Sequence, residues 1–362
     1  MENYGTTLAE AFAQKVMQLF FSESVTERIT NKDYEGEIKD KATILSIITF
    51  EKLGLHDYTG TPLANPDVPQ ESVGQLNTNQ RKMYYFQVES LAKLQSWIKD
   101  PQGSLLPQSE KTLKETIDTY NLSFYTKVAA GQRLGTVYNT GTVAVAATTG
   151  VVTGTGTAFT AAMVGRGFKA AGMTKWYRVS AYTSVTQITI VDDLDDTGAN
   201  AYTGGLINAG ATYTIEAVTP VQLSASNIYQ YIVNLRTLLN QAKVPASDRW
   251  LVLPSQISAY LLQANVMTPS VPQAYEDVVK SGRIGKVAGF DVFESELVNG
   301  DGVNGYHCLA GHKSAITHAL AYTETGIEPV IGGFGVNYKG VTIYGSKVVD
   351  ARRSALAELF AI

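Results

Sequence analysis

Apolar residues at helical spacing predict that the chain begins with a helix over residues 7–21. Thr7 and Glu10 have the spacing of a capping box, in which side chains bind the free N–H groups of the first turn. Phe12 and Phe20 fall on one face of this helix. No nearby segment offers that face an apolar partner.

The next segment, Val25 to Ile48, is polar, and we expect it to be extended, in two pieces interrupted near Gly36 and Asp40. It also lacks a local partner, although its backbone groups need one. Residues 59–80 are rich in Pro, Gly, Asn and Gln, which predicts a loop with little core of its own.

A half-buried strand and a long helix are predicted next, from apolar residues that first alternate and then recur at helical intervals. The strand residues are Tyr84, Phe86 and Val88, and the helix residues are Leu113, Ile117, Tyr120, Phe124 and Val128. Thr112 and Glu115 form a second capping box, and Gly131 lies just past the expected end.

The pattern changes abruptly between about residues 135 and 220, where Gly, Thr, Ala and Val dominate in short alternating runs separated by turn residues. This pattern is typical of a small all-β sandwich or barrel. The runs are Thr142–Val145, Trp176–Val179, Gln187–Val191 and Tyr213–Ile215. We interpret the segment as an inserted domain whose two ends lie close together.

Helical spacing returns at Ser224–Lys243, through Ile228, Ile232, Leu235 and Leu239. A buried strand, a short helix and further strands complete the chain. They are Trp250–Leu253, Ser255–Gln263, Phe290–Phe293, Tyr306–Ala310, Val336–Tyr338 and Val341–Tyr344. This order predicts an α+β host that carries a β insert.

Composition fits two interpretations: a surface that is largely covered by other subunits, or a large β-rich protein with few long polar helices. Of 362 residues, 44% are hydrophobic but only 17% are charged, which is low for a soluble protein. The net charge is −4 and no cationic cluster is present, so sequence-independent nucleic-acid binding is not indicated. A single cysteine, Cys308, excludes an internal disulfide framework, and no apolar stretch or N-terminal signal indicates a membrane or secretion.

Candidate metal sites fail on spacing. His307, Cys308, His312 and His318 do not match zinc pairs, and a strand followed by a turn would point them in different directions. Asp193, Asp195, Thr197 and Gly198 copy half of a calcium loop, but Gly204 stands where the chelating Glu is expected. We interpret the acidic residues as a hairpin turn.

Nucleotide and catalytic motifs fail as well. Gly282–Val287 has a phosphate-loop composition, but its first Gly is too close and Val287 replaces the hydroxyl residue that holds magnesium. Thr153–Thr157 lacks the third Gly and the following helix of a dinucleotide site. The sequence predicts no catalytic, cofactor-binding or metal-binding residues, and hence no enzyme.

Several segments, in order over residues 25–134 and 221–355, resemble the major capsid proteins of tailed bacteriophages, whose architecture is the Hong Kong 97 fold. These segments are Asn31–Ile38, Arg81–Val88, Ile117–Tyr120, Val244–Pro254, Gly282–Ser295, Gly311–Thr317 and Lys339–Val349. The insert separately resembles small β modules of phage structural proteins, through Gly154–Phe159 and Trp176–Val179.

The resemblance implies five regions. They are an N-terminal arm (1–30), an extended loop region (31–80), a peripheral-domain strand with the spine helix (81–134), the insert (135–220), and an axial domain with the return to the peripheral domain (221–362). We expect the arm and extended loop to lie across adjacent subunits, through Phe12, Phe20, Asp33, Tyr34, Glu35, Gly36, Glu37 and Ile38. The axial-domain residues are Arg283, Gly289 and Phe290.

The implied function is self-assembly, as hexamers and pentamers, into an icosahedral shell that encloses double-stranded DNA without reading its sequence. A portal protein is an implied partner, and a separate scaffolding protein or none is expected beside it. The implied location is the virion, after assembly in the bacterial cytoplasm, and the insert would stabilise or decorate the shell. Two alternatives stay open: an encapsulin-type nanocompartment shell, and an adhesion or carbohydrate-binding protein that uses the β insert.

Overall fold

The computed structural model describes residues 24–33, 44–50, 56–57, 68, 71–89, 101–193, 201–264 and 283–362. The fold is mixed α+β, with few helices and many strands in the described part of the chain. The predicted helix over residues 7–21 lies outside the described residues.

A three-stranded sheet packs beside a long helix. Its strands are β3 (Gln80–Glu89), β18 (Ile316–Pro329) and β19 (Gly335–Val348), with β19 in the middle and antiparallel to both neighbours. Tyr84 and Phe86 face the same side as Tyr338, which stacks on Phe86 at 5.2 Å between ring centroids. The strand predicted from Tyr84, Phe86 and Val88 is confirmed, whereas the two short strands predicted at 336–344 are one continuous strand.

The long helix, α2, spans Pro101–Leu122 and continues as a 3₁₀ helix over Ser123–Lys127. The predicted start at Thr112 is wrong. The Thr112 hydroxyl donates to the carbonyl of Gln108, so this residue lies inside the helix and caps nothing. Pro107 stands within the helix, where a sequence pattern ordinarily indicates a break.

A seven-stranded sheet holds the main apolar core. Helices α3 (Ile228–Gln241) and α4 (Ser255–Gln263) contribute to this core, and the predicted helical face of α3 is confirmed as fully buried. The strands are β4 (Arg133–Leu134), β13 (Arg249–Leu253), β14 (Arg283–Val287), β15 (Phe290–Glu294), β16 (Gly300–Asp301), β17 (Gly305–His312) and β20 (Leu356–Ala361). Their order is β14-β15-β13-β17-β20-β4, with β16 beside β17.

Residues 136–219 form an eight-stranded sheet with a second core. Its strands are β5 (Thr136–Tyr138), β6 (Thr142–Val145), β7 (Val151–Thr155), β8 (Gly167–Ala170), β9 (Tyr177–Ser184), β10 (Gln187–Val191), β11 (Ile207–Ala211) and β12 (Tyr213–Thr219). The order is β11-β6-β7-β10-β9-β8-β12-β5. Alternate residues such as Val143, Val145, Ile188 and Ile190 point into the core, as strand geometry requires.

The two ends of this sheet are adjacent. Thr136 and Thr219 are paired across β5 and β12, so the chain enters and leaves at one place. The two cores share no residue.

The segment before residue 80 differs from the prediction in two places. Thr26–Ile29 form a short helix, α1, inside the stretch expected to be extended. Within the expected loop 59–80, Glu71–Asn77 form strand β2, which pairs antiparallel with β1 (Ile44–Phe50) in a two-stranded hairpin. The Gly and Gln residues of β2 carry little strand signal, so only the pairing with β1 explains it.

This segment also has more contact with its own chain than expected. Val25 and Ile29 are buried in the main core, and Ile47 and Leu76 pack against Ala319 and Val349. The expectation that residues 31–50 lack a local partner is therefore wrong for the inner face of the hairpin. In the described part of the chain, no helix is long and apolar enough to cross a membrane.

Candidate functional site

The two-stranded hairpin presents an apolar outer face. Ile44, Ile48 and Phe50 alternate along β1 and are 54%, 55% and 64% exposed. Leu45 and Ile47 point the other way, towards the seven-stranded and three-stranded sheets with their helices, which we call the body. Lys347 holds the hairpin base through a 2.9 Å hydrogen bond to the carbonyl of Gln75. The hairpin is thus anchored at one end, and its outer face has no partner within the described residues.

The three-stranded sheet adds a second exposed apolar surface. Met83 and Tyr85 of β3 are exposed on the face that also carries Lys347, next to the hairpin base. At the turn between β18 and β19, Ile331 is fully exposed and Phe334 is 85% exposed. These are two groups of exposed apolar side chains, and such groups are candidates for binding another protein.

The predicted arm and extended-loop residues are mostly outside the described residues: Phe12, Phe20, Tyr34, Glu35, Gly36, Glu37 and Ile38. Asp33 is exposed. Two residues before it, the backbone of Asn31 bonds to Ile316 and His318 at the edge of β18. The described residues up to Asp33 therefore lie at the edge of the three-stranded sheet.

The predicted axial residues lie on a tight hairpin. Arg283 begins β14, and Gly289 with φ +91° forms the turn between β14 and β15. Phe290 follows that turn and is completely buried in the main core. Because Phe290 is buried, it stabilises the fold and is not accessible to a partner.

Asp118 on α2 fastens the start of the described chain. Its carboxylate accepts hydrogen bonds from the hydroxyls of Ser24 and Thr26 and from the backbone N–H groups of Val25 and Thr26. Burial raises the pKa of Asp118 above its usual value, although these four donors oppose the rise. Asp118, although distant in sequence, therefore caps the N-terminus of α1.

A buried ion network joins the eight-stranded sheet to the rest of the chain. Glu358, completely buried on β20, accepts from Arg133 Nε at 2.9 Å and from Arg166 at 3.1 Å. His307 Nδ1 lies 2.6 Å from the same carboxylate, and its ring stacks between Tyr125 and Phe360. Arg166 belongs to the eight-stranded sheet region, whereas the other partners belong to the body.

The second half of the network centres on Arg178 of β9. It pairs with Asp193 at 2.7 Å and donates to the carbonyls of Val128 and Gly165. Asp193 also binds Arg353 of the body at 3.2 Å. We name the whole set the ion junction: Arg133, Arg166, Arg178, Asp193, Glu216, His307, Arg353 and Glu358.

Glu216 completes the ion junction from β12. One of its oxygens accepts from Gly167 and lies 3.3 Å from Arg133, and the other accepts from the N–H of Gly131. Burial raises the pKa of Glu216. Burial acts in the same direction on Glu358, but the His307 hydrogen bond and the charges of Arg133 and Arg166 lower its pKa to about 2.

The residues considered as metal ligands are separated. His307 belongs to the ion junction, His312 bonds Ser314, and His318 bonds Ser346. Cys308 is buried, which raises the pKa of its thiol. Asp193 belongs to the ion junction, while Asp195, Thr197 and Gly198 lie outside the described residues. Within the described ranges, no three such side chains come together as a metal site.

The ion junction was not predicted from the sequence. Arg133 and Glu358 are 225 positions apart, and no local spacing connects them. The available signal was a charge inside an otherwise apolar strand, as at Glu358 in Leu356–Ala361. A charge in that setting requires a buried partner.

Comparison with known proteins gives matches only at the level of structure. No family model and no curated protein sequence matches the chain. A structure from Mycobacterium phage Che8 matches with a TM-score of 0.62 at 13% identity, covering 98% of this chain and 97% of the other.

Two capsid structures match over similar lengths. That of cyanophage P-SCSP1u has a TM-score of 0.56 at 12% identity and covers 98% of this chain and 93% of its own. The capsid of Ralstonia phage GP4 has a TM-score of 0.56 at 8% identity and covers 100% and 98%. The resemblance that the sequence motifs indicated is confirmed at the level of the fold, which this chain shares with phage capsid structures.

Proposed function

We propose that this chain is a major capsid protein of a tailed phage and that many copies of it form a closed shell. The observation that carries the proposal is the anchored hairpin with an unpartnered apolar face, on a chain whose whole length matches capsid structures. A subunit that exposes such a face is completed by neighbours, because burial of apolar surface drives association. The role is structural and involves no catalysis.

The finer assignments follow the Hong Kong 97 arrangement. Residues 1–30 act as the arm, 31–80 as the extended loop, α2 as the spine helix and 221–362 as the axial domain with the return to the peripheral domain. The eight-stranded sheet is an inserted domain that stabilises or decorates the shell. The shell consists of hexamers and pentamers, encloses double-stranded DNA, and is assembled in the bacterial cytoplasm with a portal and a scaffolding protein.

The hairpin is proposed to contact the next subunit through Ile48 and Phe50, and the exposed Met83 and Tyr85 are proposed to receive it. Both surfaces are apolar, and the base of the hairpin is bonded to the three-stranded sheet through Lys347 and Gln75. Strand and side-chain contacts of this kind are individually weak, so that many of them together give a stable shell.

Negative-stain microscopy of the purified chain, expressed with and without a scaffolding protein, tests the proposal. Closed particles are expected, whereas a compact monomer at high concentration under both conditions contradicts it. The double variant Ile48→Ser/Phe50→Ser is expected to fold but not to close. Ser46→Asn, on the same exposed face of β1, is the matched control and is expected to assemble normally.

A further inference from the structure

Charged residues are unevenly distributed along the eight-stranded sheet. The chain has no Asp, Glu, Lys, Arg or His between Arg133 and Arg166, and none between Arg178 and Asp192. Protein surfaces in water ordinarily carry charges on about a quarter to a third of their residues. These two stretches therefore differ from an ordinary solvent-facing surface.

The structure brings the two stretches together. Strands β7, β10 and β9 are neighbours, and the turn between β9 and β10 bonds to the chain after β7 through Val185 and Thr186. The exposed residues of this turn and of the outer face of β7 form one surface, which we name the hydroxyl patch: Thr153, Thr155, Gly156, Thr183, Val185 and Thr186. Val185 is 55% exposed.

The charges that the sheet does carry lie elsewhere. Arg166, Arg178 and Asp193 belong to the ion junction, and Lys175 pairs with Asp192. The hydroxyl patch is at the other end of β9 from Arg178, seven residues away, or about 23 Å along a strand. Because the ion junction fixes the sheet to the body, the patch has a fixed position on the subunit.

We infer that the hydroxyl patch is a contact surface for a second copy of this chain, a role that rests on the proposed shell function. Two copies carry the same net charge of −4, so a charged surface between them risks like-charge repulsion. A neutral surface of hydroxyl and valine side chains avoids it. Interface cores show the same loss of charge.

Three substitutions at the patch test the inference in the full-length chain. Val185→Lys and Thr155→Lys place an unpaired charge in the contact and are expected to raise the concentration needed for assembly at least about tenfold. Val185→Thr has nearly the same shape without charge and is expected to assemble as the wild type does. Thr174→Lys is the matched control, because Thr174 is exposed beside Lys175 and outside the patch.

A cross-link separates a contact effect from a folding effect. Val185→Cys labelled with a thiol-specific photo-cross-linker is expected to give a covalent link to a second copy in assembled particles, and Cys308 is not labelled because it is buried. Two results would overturn this inference alone. In the first, the wild type forms shells and Val185→Lys assembles normally. In the second, the patch binds glycans and no cross-link forms between copies. If the wild-type chain forms no closed particle, both the proposed function and this inference fail.

Discussion

Single carboxylates hold distant parts of this chain together. Asp118 and Glu358 are both completely buried, and each accepts several hydrogen bonds from residues far away in sequence. A buried carboxylate with its donors in place is stable, but removing one partner leaves the others without compensation. Substitutions at these two positions therefore have large and distinct effects.

Asp118→Ala is expected to lower the free energy of unfolding by about 2–3 kcal/mol, because two buried backbone N–H groups lose their acceptor. The loss falls first on residues 24–30, because Asp118 supplies four of the hydrogen bonds that attach them to α2, beside one from Asn121 to Thr26. Urea denaturation gives the total, and hydrogen exchange locates it. Thr119→Ala, exposed on the same helix, is the control. Equal protection of residues 24–30 in both variants would contradict this account.

Glu358 gives the chain a specific acid sensitivity. Its pKa is lowered to about 2 in the folded state, whereas an unfolded Glu titrates near about 4.3. The ionised folded form is thus favoured, so the stabilisation is complete above about pH 4.3 and is lost as the pH falls towards 2. We expect melting temperatures to fall over this range for the wild type.

Glu358→Gln removes that titration and leaves Arg133 short of a charge partner. It is expected to be less stable at pH 7 by about 3–5 kcal/mol and to lose less stability between pH 5 and pH 3. Melting curves across this range measure both effects. Glu27→Gln, at an exposed position, serves as control and should follow the wild-type profile. If the melting temperature of Glu358→Gln falls with pH as steeply as that of the wild type, other carboxylates cause the loss of stability in acid.

At the scale of elements, periodicity predicted those whose own sequence carries a repeating apolar signal. Ile228, Ile232, Leu235 and Leu239 recur at helical spacing and lie on the buried face of α3. By contrast, β2 and β11 are weak strand sequences whose pairing with β1 and β6 stabilises them, and no local pattern indicates that pairing. The same distinction applies to the candidate site. The apolar face of the hairpin comes from one stretch of sequence, whereas the residues of the ion junction come from distant stretches.

Turn geometry makes one element of the eight-stranded sheet especially sensitive. Gly150, with φ +63°, lies between β6 and β7, and a Cβ there would be 2.1 Å from the carbonyl oxygen of Ile190. Gly150→Ala must displace backbone, which is expected to cost about 1–3 kcal/mol beyond the cost of the left-handed conformation itself. Chemical denaturation, with hydrogen exchange of β7 and β10, measures the loss.

The matched control is Gly156→Ala. Gly156 has a similar φ of +69°, but the nearest atom to an added Cβ is 3.9 Å away. Only the conformational cost, about 1–2 kcal/mol, is expected there. If both variants lose the same stability, the contact with Ile190 is not the cause.

At the scale of the whole molecule, charged side chains join the two large apolar cores of the described part of the chain. The main core and the core of the eight-stranded sheet have no residue in common, and the ion junction lies between them. Because the chain enters and leaves the sheet at the paired residues Thr136 and Thr219, the sheet can be removed without stretching the body. This arrangement makes the role of the sheet testable.

Deleting residues 137–218 with a short glycine linker is expected to leave the body folded, because the main core keeps all its members. The Arg133–Glu358 and His307–Glu358 contacts remain, but Arg133 loses Glu216 and water reaches Glu358. The isolated body should therefore melt at a lower temperature than the full chain. If the sheet stabilises the shell, particles of the deletion variant also dissociate at a lower temperature, as measured by light scattering during heating. Normal assembly with unchanged heat resistance would instead assign the sheet to contacts outside the shell, because neither the ion junction nor the hydroxyl patch would then contribute to its stability.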